Sequence, residues 1–335
     1  MKTYLIAALA GTAIASVAQA QFSETEPNDT RATANGVVGI APGGTITGVS
    51  TASTGTGVDY FRVQTSAAPL GLYRYDMILS GNNGVLHSAS LRGTGQTGAA
   101  AGAWPLPGGE GTNSATEATL QTGATISGTT SRLNSWYGFG RAGEVYYRVN
   151  GTTTTTAGYT ATLSRTQITP VQIGSYQPGF ISMNWQGQGH STDTDMWVYD
   201  SNFNAIRGYG NDDGNVLGGA AANSLQSYLN RDYLPGIYYI AVTNFNMANS
   251  MGSPSDDGFR TGSMNEFADV VMNSSTSTGL NMTFTITDSA GNSLQVANTK
   301  AGAFDINWFC FEVVPTPGSA MLLGMGGLVA LRRRR

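Results

Sequence analysis

Short segments in which apolar and polar residues alternate run through most of the chain. In residues 282–287 apolar residues alternate with threonines, and residues 72–79 and 144–149 show a similar two-residue period. Successive side chains of a β-strand point to opposite faces, so this period predicts strands with one buried face. Gly, Asn, Asp and Ser separate the segments, which is typical of tight turns. We therefore expect an all-β protein without long amphipathic helices between its termini.

The number and spacing of these strands favour sandwiches of antiparallel sheets. A boundary is expected near residues 166–170, which divides the chain into two antiparallel, jelly-roll-like β-sandwich domains at residues 21–166 and 171–314. Residues 93–128 are rich in Gly, Ala and Thr. We expect this stretch to form a long loop within the first domain.

Composition agrees with this fold class. The 335 residues include 45 Gly and 40 Thr, and only 11% are charged, against roughly 25% in an average soluble domain. Helical bundles and coiled coils depend on Glu, Lys and Arg, so they are disfavoured. Hydrophobic residues make up 40% and aromatic residues 10%, which is enough to form a core and argues against disorder.

The N-terminus has the pattern of a secretory signal peptide. Lys2 precedes a short apolar stretch at residues 4–18, and Ala18 and Ala20 flank Gln19 as in a small-x-small cleavage site. We expect residues 1–20 to form a signal helix that is removed, so that the mature protein begins at Gln21.

The C-terminus carries three ordered features at residues 315–335. Pro315, Thr316 and Pro317 precede an apolar run at residues 318–331, and the chain ends with Arg332, Arg333, Arg334 and Arg335. The run has 14 residues, fewer than the ~20 that a membrane-spanning helix needs. Basic residues after such a run stay on the cytoplasmic side. A plain membrane anchor is the alternative reading.

This arrangement resembles the PEP-CTERM sorting signal. The resemblance implies transient insertion of a short C-terminal helix into the inner membrane. It also implies recognition of the Pro-x-Pro segment by an exosortase, which removes the tail. Thr316 stands where the usual motif has Glu.

The net charge of the chain disfavours two classes of binding partner. The full chain has a net charge of −4, and loss of Lys2 and the four terminal arginines leaves 12 basic and 21 acidic residues, a net −9. A protein this acidic is a poor ligand for nucleic acid or anionic lipid.

Cys310 is the only cysteine, so an internal disulfide is impossible, and we expect it to be a core thiol.

Two motifs in the first half suggest a domain family. Glu24, Glu26, Pro27 and Asn28 form Glu-x-Glu-Pro-Asn after the signal peptide, and residues 57–63 read Gly-Val-Asp-Tyr-Phe-Arg-Val. This pair resembles the bacterial pre-peptidase C-terminal domain, a small β-sandwich of secreted proteins. Gly57 replaces the first Asp of the family's second motif. A similar order of motifs after residue 192 suggests a second domain of this type.

The second half also contains a candidate cation site. Asp193 and Asp195 share one face of a predicted strand, and Asp212 and Asp213 lie in a later loop. If that loop folds over the strand end, four carboxylates meet in an all-oxygen site of the kind that binds Ca²⁺. The alternative is that these residues only stabilise turns. Residues 256–257 form a weaker acidic candidate.

Catalytic motifs are absent from the sequence. His190 precedes Ser191, but adjacent strand residues point to opposite faces, which disfavours a Ser-His-Asp arrangement. No G-x-S-x-G or H-E-x-x-H motif occurs.

Trp104, Trp136 and Tyr137 are either core residues or an exposed platform for sugars.

The sequence thus predicts a secreted, non-enzymatic structural or binding protein. We expect an exosortase to sort it to the cell surface, envelope or extracellular matrix, where it associates with exopolysaccharide. A secreted glycosidase or peptidase with a dispersed active site is the alternative.

Overall fold

The structure is a computed structural model that describes residues 20–50, 57–97, 112–151, 157–214, 224–251 and 263–315. These residues form an all-β fold of several sheets, which confirms the predicted class. Their helical content is two 3₁₀ turns, Arg31–Thr33 and Asn82–Gly84. The predicted signal peptide lies outside the described residues except for Ala20, and so does the sorting tail after Pro315. Within the described chain, no helix has the length and apolarity that crossing a membrane requires.

The described residues form twenty-five strands. Those of the first half are β1 (Gln21–Ser23), β2 (Asn35–Ile40), β3 (Thr45–Ser50), β4 (Val58–Thr65), β5 (Leu72–Gly81), β6 (His87–Thr97), β7 (Thr112–Thr122), β8 (Ala124–Thr125), β9 (Arg132–Gly138), β10 (Glu144–Gly151) and β11 (Ala157–Ile168). Those of the second half are β12 (Val171–Tyr176), β13 (Gly179–Asn184), β14 (Thr194–Tyr199), β15 (Ala205–Asn211), β16 (Tyr228–Tyr233), β17 (Gly236–Asn244), β18 (Met247–Ala248), β19 (Ser263–Met264), β20 (Val270–Asn273), β21 (Leu280–Asn281), β22 (Phe284–Asp288), β23 (Ser293–Val296), β24 (Thr299–Lys300) and β25 (Asn307–Val313).

The first sandwich packs two sheets over one core. One sheet has the order β1-β3-β11-β5-β9-β20-β18, with β8 paired to β9, and the other has the order β19-β6-β10-β4-β2, with β7 paired to β6. The two-residue period places alternate side chains inside, so Tyr147 on β10 and Tyr75 on β5 are both buried. Tyr75 stacks on Trp136 of β9 with the ring centroids 5.7 Å apart.

The second sandwich is smaller. Its sheets have the orders β12-β25-β17-β14-β15 and β16-β13-β22-β23, and β21 pairs separately with β24. Trp185 stacks on Phe284 at 4.6 Å, and Phe309 meets Phe284 edge-on at 5.3 Å. Every residue of β14 is buried. Met196 and Val198 lie in the core of the second sandwich, whereas Trp197 and Tyr199 belong to a separate apolar cluster.

Strand pairing also joins the two halves of the chain. Val270 and Val271 of β20 pair with Gly138 and Tyr137 of β9, and β19 pairs with β6. Strands β18, β19 and β20 therefore extend the two sheets of the first sandwich, although in sequence they lie between β17 and β22 of the second.

A third apolar cluster fills the space between the sandwiches; we call it the junction cluster. Its buried members are Leu72, Tyr137, Phe139, Trp197, Tyr199, Phe203, Ala241, Met247, Val271, Ile306 and Trp308. Phe139 lies 5.3 Å from both Tyr199 and Phe203 and 5.8 Å from Trp308, measured between ring centroids. The first half is thus packed directly against the second.

Two details differ from the sequence predictions. The sheets are not purely antiparallel, because β1–β3, β2–β4 and β12–β25 are parallel pairs. Residues 93–128 are not simply a loop: β6 continues to Thr97, and β7 pairs with it. Threonine favours strands, and Leu120 anchors β7 in the core with 3% of its surface exposed.

Of the two alternatives for the aromatic residues, the structure supports core packing for Trp136 and Tyr137. Trp136 and Tyr137 are 1% and 3% exposed, so an exposed platform at these residues is ruled out. Trp104 lies outside the described residues. Both described residues are on β9, where one packs into the core of the first sandwich and the other into the junction cluster.

Candidate metal centre

Strand pairing brings the acidic residues of the second half together. Asp193 comes directly before β14, whereas Asp212 and Asp213 come directly after β15. These two strands are antiparallel neighbours, and Met196 lies opposite Asn211 in their register. The start of one strand therefore meets the end of the other, which places the three aspartates at the same edge of the sheet.

Buried hydrogen bonds fix this edge. The Ser227 hydroxyl donates to the carbonyl oxygen of Thr194 at 2.6 Å and lies 3.1 Å from the carbonyl oxygens of Asn211 and Asp212. Asn211 accepts a hydrogen bond from the backbone N–H of Tyr228 at 2.8 Å through its side-chain oxygen. The backbone that carries the acidic side chains is thereby held in place by groups that do not themselves carry charge.

The three carboxylates can bind one cation. One oxygen from each of Asp193, Asp212 and Asp213 lies within 4.8 Å of the other two. Ca²⁺ is ligated by oxygens at about 2.4 Å, so two ligands of one ion are at most about twice that distance apart. Asp212 and Asp213 are buried, with 2% and 9% of their surface exposed, and Asp193 is half-buried. The buried aspartate triad can thus hold a metal ion such as Ca²⁺.

Electrostatics agree with this interpretation. Burial, followed by the charges of Asp213 and Asp195, raises the pKa of Asp193 from 3.8 to about 6. Burial also raises the pKa of Asp213. The Oδ1 atom of Asp193 is buried and accepts no hydrogen bond within the described part of the chain. Either protonation or a bound cation removes the unfavourable energy of such a buried carboxylate. At neutral pH the cation is the more effective of the two.

Asp195 has a different position from the other three. Its Oδ2 atom accepts a hydrogen bond from the backbone N–H of Met247 at 2.6 Å, and its side chain does not belong to the group within 4.8 Å. Its charge still contributes to the raised pKa of Asp193. Residues 256–257, the weaker acidic candidate, lie outside the described residues.

His190 is part of a loop network. Its Nε2 atom lies 2.9 Å from the carbonyl oxygen of Thr283, and its Nδ1 atom accepts a hydrogen bond from the backbone N–H of Thr192 at 3.3 Å. The side-chain amide of Gln226 donates to the carbonyl oxygen of His190. Both ring nitrogens are therefore engaged in connecting chain segments, and Ser191 is exposed.

Sequence reasoning assigned no role to Asp59, which forms an acidic group in the first sandwich. Asp59 is 2% exposed, and its Oδ2 atom has no hydrogen-bond partner among the described residues. Burial, the largest cause, and the charges of Glu24, Glu26 and Asp29 raise its pKa to about 7, although a hydrogen bond with Tyr159 lowers it. The signal in the sequence was the position of Asp59 within the motif at residues 57–63.

Lys300 was also missed. It is fully buried on β24, and its ammonium group donates to Asn244 Oδ1 at 2.7 Å, to Asn273 Oδ1 at 2.9 Å and to the carbonyl oxygen of Ser275 at 2.8 Å. Burial lowers its pKa to about 8, while the charge of Asp305 raises it. These three oxygens, which belong to separate segments, stabilise the buried ammonium group. A sequence does not show that the three segments lie close together.

Of the comparisons with known proteins, only the search of solved structures gives a match. Protein-family models give no match to this chain, and a search of curated proteins gives none. Among solved structures, the pre-peptidase C-terminal domain of a collagenase from Bacillus anthracis is similar over 42% of this chain and 100% of its own length. The sequence identity is 12% and the TM-score 0.24. This similarity is too low to transfer a site or an activity.

Proposed function

We propose that the protein is a secreted, non-enzymatic β-sandwich protein of the cell surface or extracellular matrix that binds Ca²⁺ and associates with exopolysaccharide. The observation that carries the calcium assignment is the triad of Asp193, Asp212 and Asp213 within 4.8 Å. Neighbouring carboxylates repel one another and destabilise the folded chain, and a divalent cation reverses that effect. The two terminal sequence patterns support export rather than a role inside the cell.

Calcium is expected to raise the melting temperature of the protein. A ligand at 100 times its dissociation constant stabilises the native state by about 2.7 kcal/mol, which corresponds to roughly 5–10 °C for a domain of this size. The measurement is a thermal melt with CaCl₂ and with EDTA. Asp213→Asn should remove the calcium effect, because it replaces a ligand and lowers the local negative charge.

The control is Asp232→Asn, which changes an exposed aspartate of the same sandwich. This variant should respond to calcium like the wild type. Coinciding melting curves in CaCl₂ and EDTA would contradict the calcium assignment. Equal calcium responses of the Asp213→Asn and wild-type proteins would place the ion elsewhere.

We also propose that an exosortase processes the C-terminus. Intact-mass spectrometry of protein recovered outside the cell is expected to show chains that begin at Gln21 and lack Arg332, Arg333, Arg334 and Arg335. Replacement of Pro315 and Pro317 by Ala should leave the tail attached and retain the protein in the cell membrane, while an Ala substitution at exposed Val171 should not. Extracellular protein that still ends in Arg335 would contradict this proposal.

A further inference from the structure

The chain passes from the second sandwich to the first through a short connection between β17 and β18. We call residues 244–247, which include the last residue of β17 and the first residue of β18, the crossing connection. The strands beyond it belong to the first sandwich, because β18 pairs with β20 and β20 pairs with β9. Ala248, Val270 and Met272 of these strands are buried in the core of the first sandwich. The crossing connection therefore joins a strand of one sandwich to strands that pack in the other.

Two hydrogen bonds hold the crossing connection against the segment that carries the first aspartates of the candidate metal centre. The backbone N–H of Phe245 donates to the carbonyl oxygen of Asp193 at 3.0 Å. The backbone N–H of Met247 donates to Asp195 Oδ2 at 2.6 Å. Asp193 belongs to the aspartate triad, and Asp195 lies two residues further along the chain. The segment that supplies a metal ligand thus also supplies two acceptors for the connection.

The other side of the crossing connection is bound to β20. The side-chain amide of Asn273, the last residue of β20, donates to the carbonyl oxygens of Asn244 at 2.6 Å and Asn246 at 3.1 Å. A continuous set of hydrogen bonds therefore leads from Asp193 and Asp195 through the connection to β20, and from β20 to β9 of the first sandwich. Direct contacts of this kind carry energetic coupling between separate parts of a protein.

The position of Asp195 makes these hydrogen bonds sensitive to charge. Its side chain is fully buried, and its negative charge interacts unfavourably with that of Asp193. Charges of the same sign repel more strongly where water is excluded. A divalent cation bound by Asp193, Asp212 and Asp213 compensates this repulsion. The ion thereby stabilises the arrangement in which Asp193 and Asp195 accept both N–H groups of the connection.

An ion in the triad also distinguishes the attached connection from a released one. A ligand shifts a conformational equilibrium only if it binds the two states with different affinities. Release of the crossing connection breaks the hydrogen bonds of Phe245 and Met247. The backbone of Asp193 then loses a partner that fixes its position, so one of the three ligands becomes less well placed. The triad therefore binds a cation more tightly when the connection is attached.

We propose that Ca²⁺ in the aspartate triad stabilises the crossing connection and thereby controls the docking of β18 and β20 on the first sandwich. The inference rests on the calcium assignment of the proposed function and names what the ion regulates. Its basis is the pair of hydrogen bonds from the connection to Asp193 and Asp195. A cation bound in the second sandwich thus determines how firmly the two sandwiches are joined.

Hydrogen exchange followed by mass spectrometry, on the protein in CaCl₂ and in EDTA, tests this coupling. The measurement uses short exchange times, at which amides exchange through local opening of the fold. Peptides that contain Phe245 and Met247, or residues 270–273, are expected to exchange about tenfold more slowly in CaCl₂, which is a typical size for coupling between two sites. Peptides from β3, near the opposite edge of the sheet that contains β20, should exchange equally in both solutions.

Asp195→Asn keeps an oxygen acceptor at this position but removes its charge. In this variant the slowing of exchange by CaCl₂ at Met247 should fall below about threefold, while calorimetry still detects calcium binding. Asp288→Asn is the matched control. Asp288 is also a buried aspartate of the second sandwich, and it accepts backbone N–H groups from Gln177 and Ala290 rather than from the crossing connection. This control should keep the wild-type response to calcium.

The coupling must also act in the reverse direction, because the effects of two linked equilibria on each other are equal. Val271→Ala removes methyl groups of β20 from the junction cluster, whereas Val63→Ala makes the same change on β4 in the core of the first sandwich. Both valines are fully buried. Val271→Ala should raise the calcium dissociation constant about fivefold, as measured by calorimetry, and Val63→Ala should leave it unchanged.

The outcomes separate this inference from the proposed function. If calorimetry detects no calcium binding to the wild type, the calcium assignment is wrong and the inference fails with it. If calcium binds but Phe245 and Met247 exchange equally in CaCl₂ and EDTA, the inference alone is overturned. Equal calcium responses of the Asp195→Asn and Asp288→Asn proteins also overturn it, and so do equal calcium affinities of the two valine variants.

Discussion

Replacement of Phe139 by Ala is expected to lower the free energy of unfolding by about 4 kcal/mol. Phe139 is 2% exposed at the centre of the junction cluster, where it contacts aromatic rings of the second half. Truncation of a buried Phe to Ala typically costs 3–5 kcal/mol, because apolar contacts are lost and a cavity remains. Urea unfolding followed by tryptophan fluorescence gives the measurement.

Two variants control for this effect. Phe139→Leu retains most of the side-chain volume and should cost less than about 1.5 kcal/mol. Phe180→Ala removes a ring that is 60% exposed and should cost less than about 1 kcal/mol. If Phe139→Ala were no more destabilising than Phe180→Ala, the junction cluster would not contribute to holding the halves together.

Replacement of Gln121 by Leu should be destabilising by a similar amount, about 4 kcal/mol, without creating a cavity. The Gln121 amide donates to the carbonyl oxygens of Ser135 at 2.8 Å and Asn273 at 2.7 Å. Its Oε1 atom accepts from the backbone N–H of Ser135 at 2.9 Å and from Asn134 Nδ2 at 3.0 Å. Leu fills the space but leaves these buried groups without partners, each at a cost of about 1–3 kcal/mol.

This second prediction separates hydrogen bonding from packing. Gln121 is 1% exposed, whereas Gln167 on β11 lies at the surface. Gln167→Leu makes the same chemical change there and should alter stability by less than about 0.5 kcal/mol. Chemical denaturation of both variants provides the comparison. Equal stabilities would mean that solvent can reach the groups that Gln121 now satisfies.

The sequence was sufficient for the fold class because that signal is local. Alternation in β10 and β22 and the turn residues between strands depend only on neighbouring positions, so strands could be predicted without knowing their partners. The pairing of β20 with β9 joins residues more than a hundred positions apart. No feature of the neighbouring residues distinguishes a strand that pairs within its own half of the chain from one that pairs with a strand of the other half.

The candidate metal centre, too, could be predicted only in part from local sequence. The sequence identified four acidic residues near one strand, Asp193, Asp195, Asp212 and Asp213. Because alternate side chains of a strand point the same way, the sequence pattern treats Asp193 and Asp195 as equivalent. The structure distinguishes them because the backbone N–H of Met247 reaches Asp195.

The buried position of Lys300 has a practical consequence for labelling. In a chain that begins at Gln21, Lys300 is the only lysine, and none of its surface is exposed. Among the amines of the folded protein, acylating reagents can therefore reach only the α-amino group. The ε-amine becomes reactive when β24 separates from its neighbours, so the rate of a second acylation reports directly how often this part of the molecule opens.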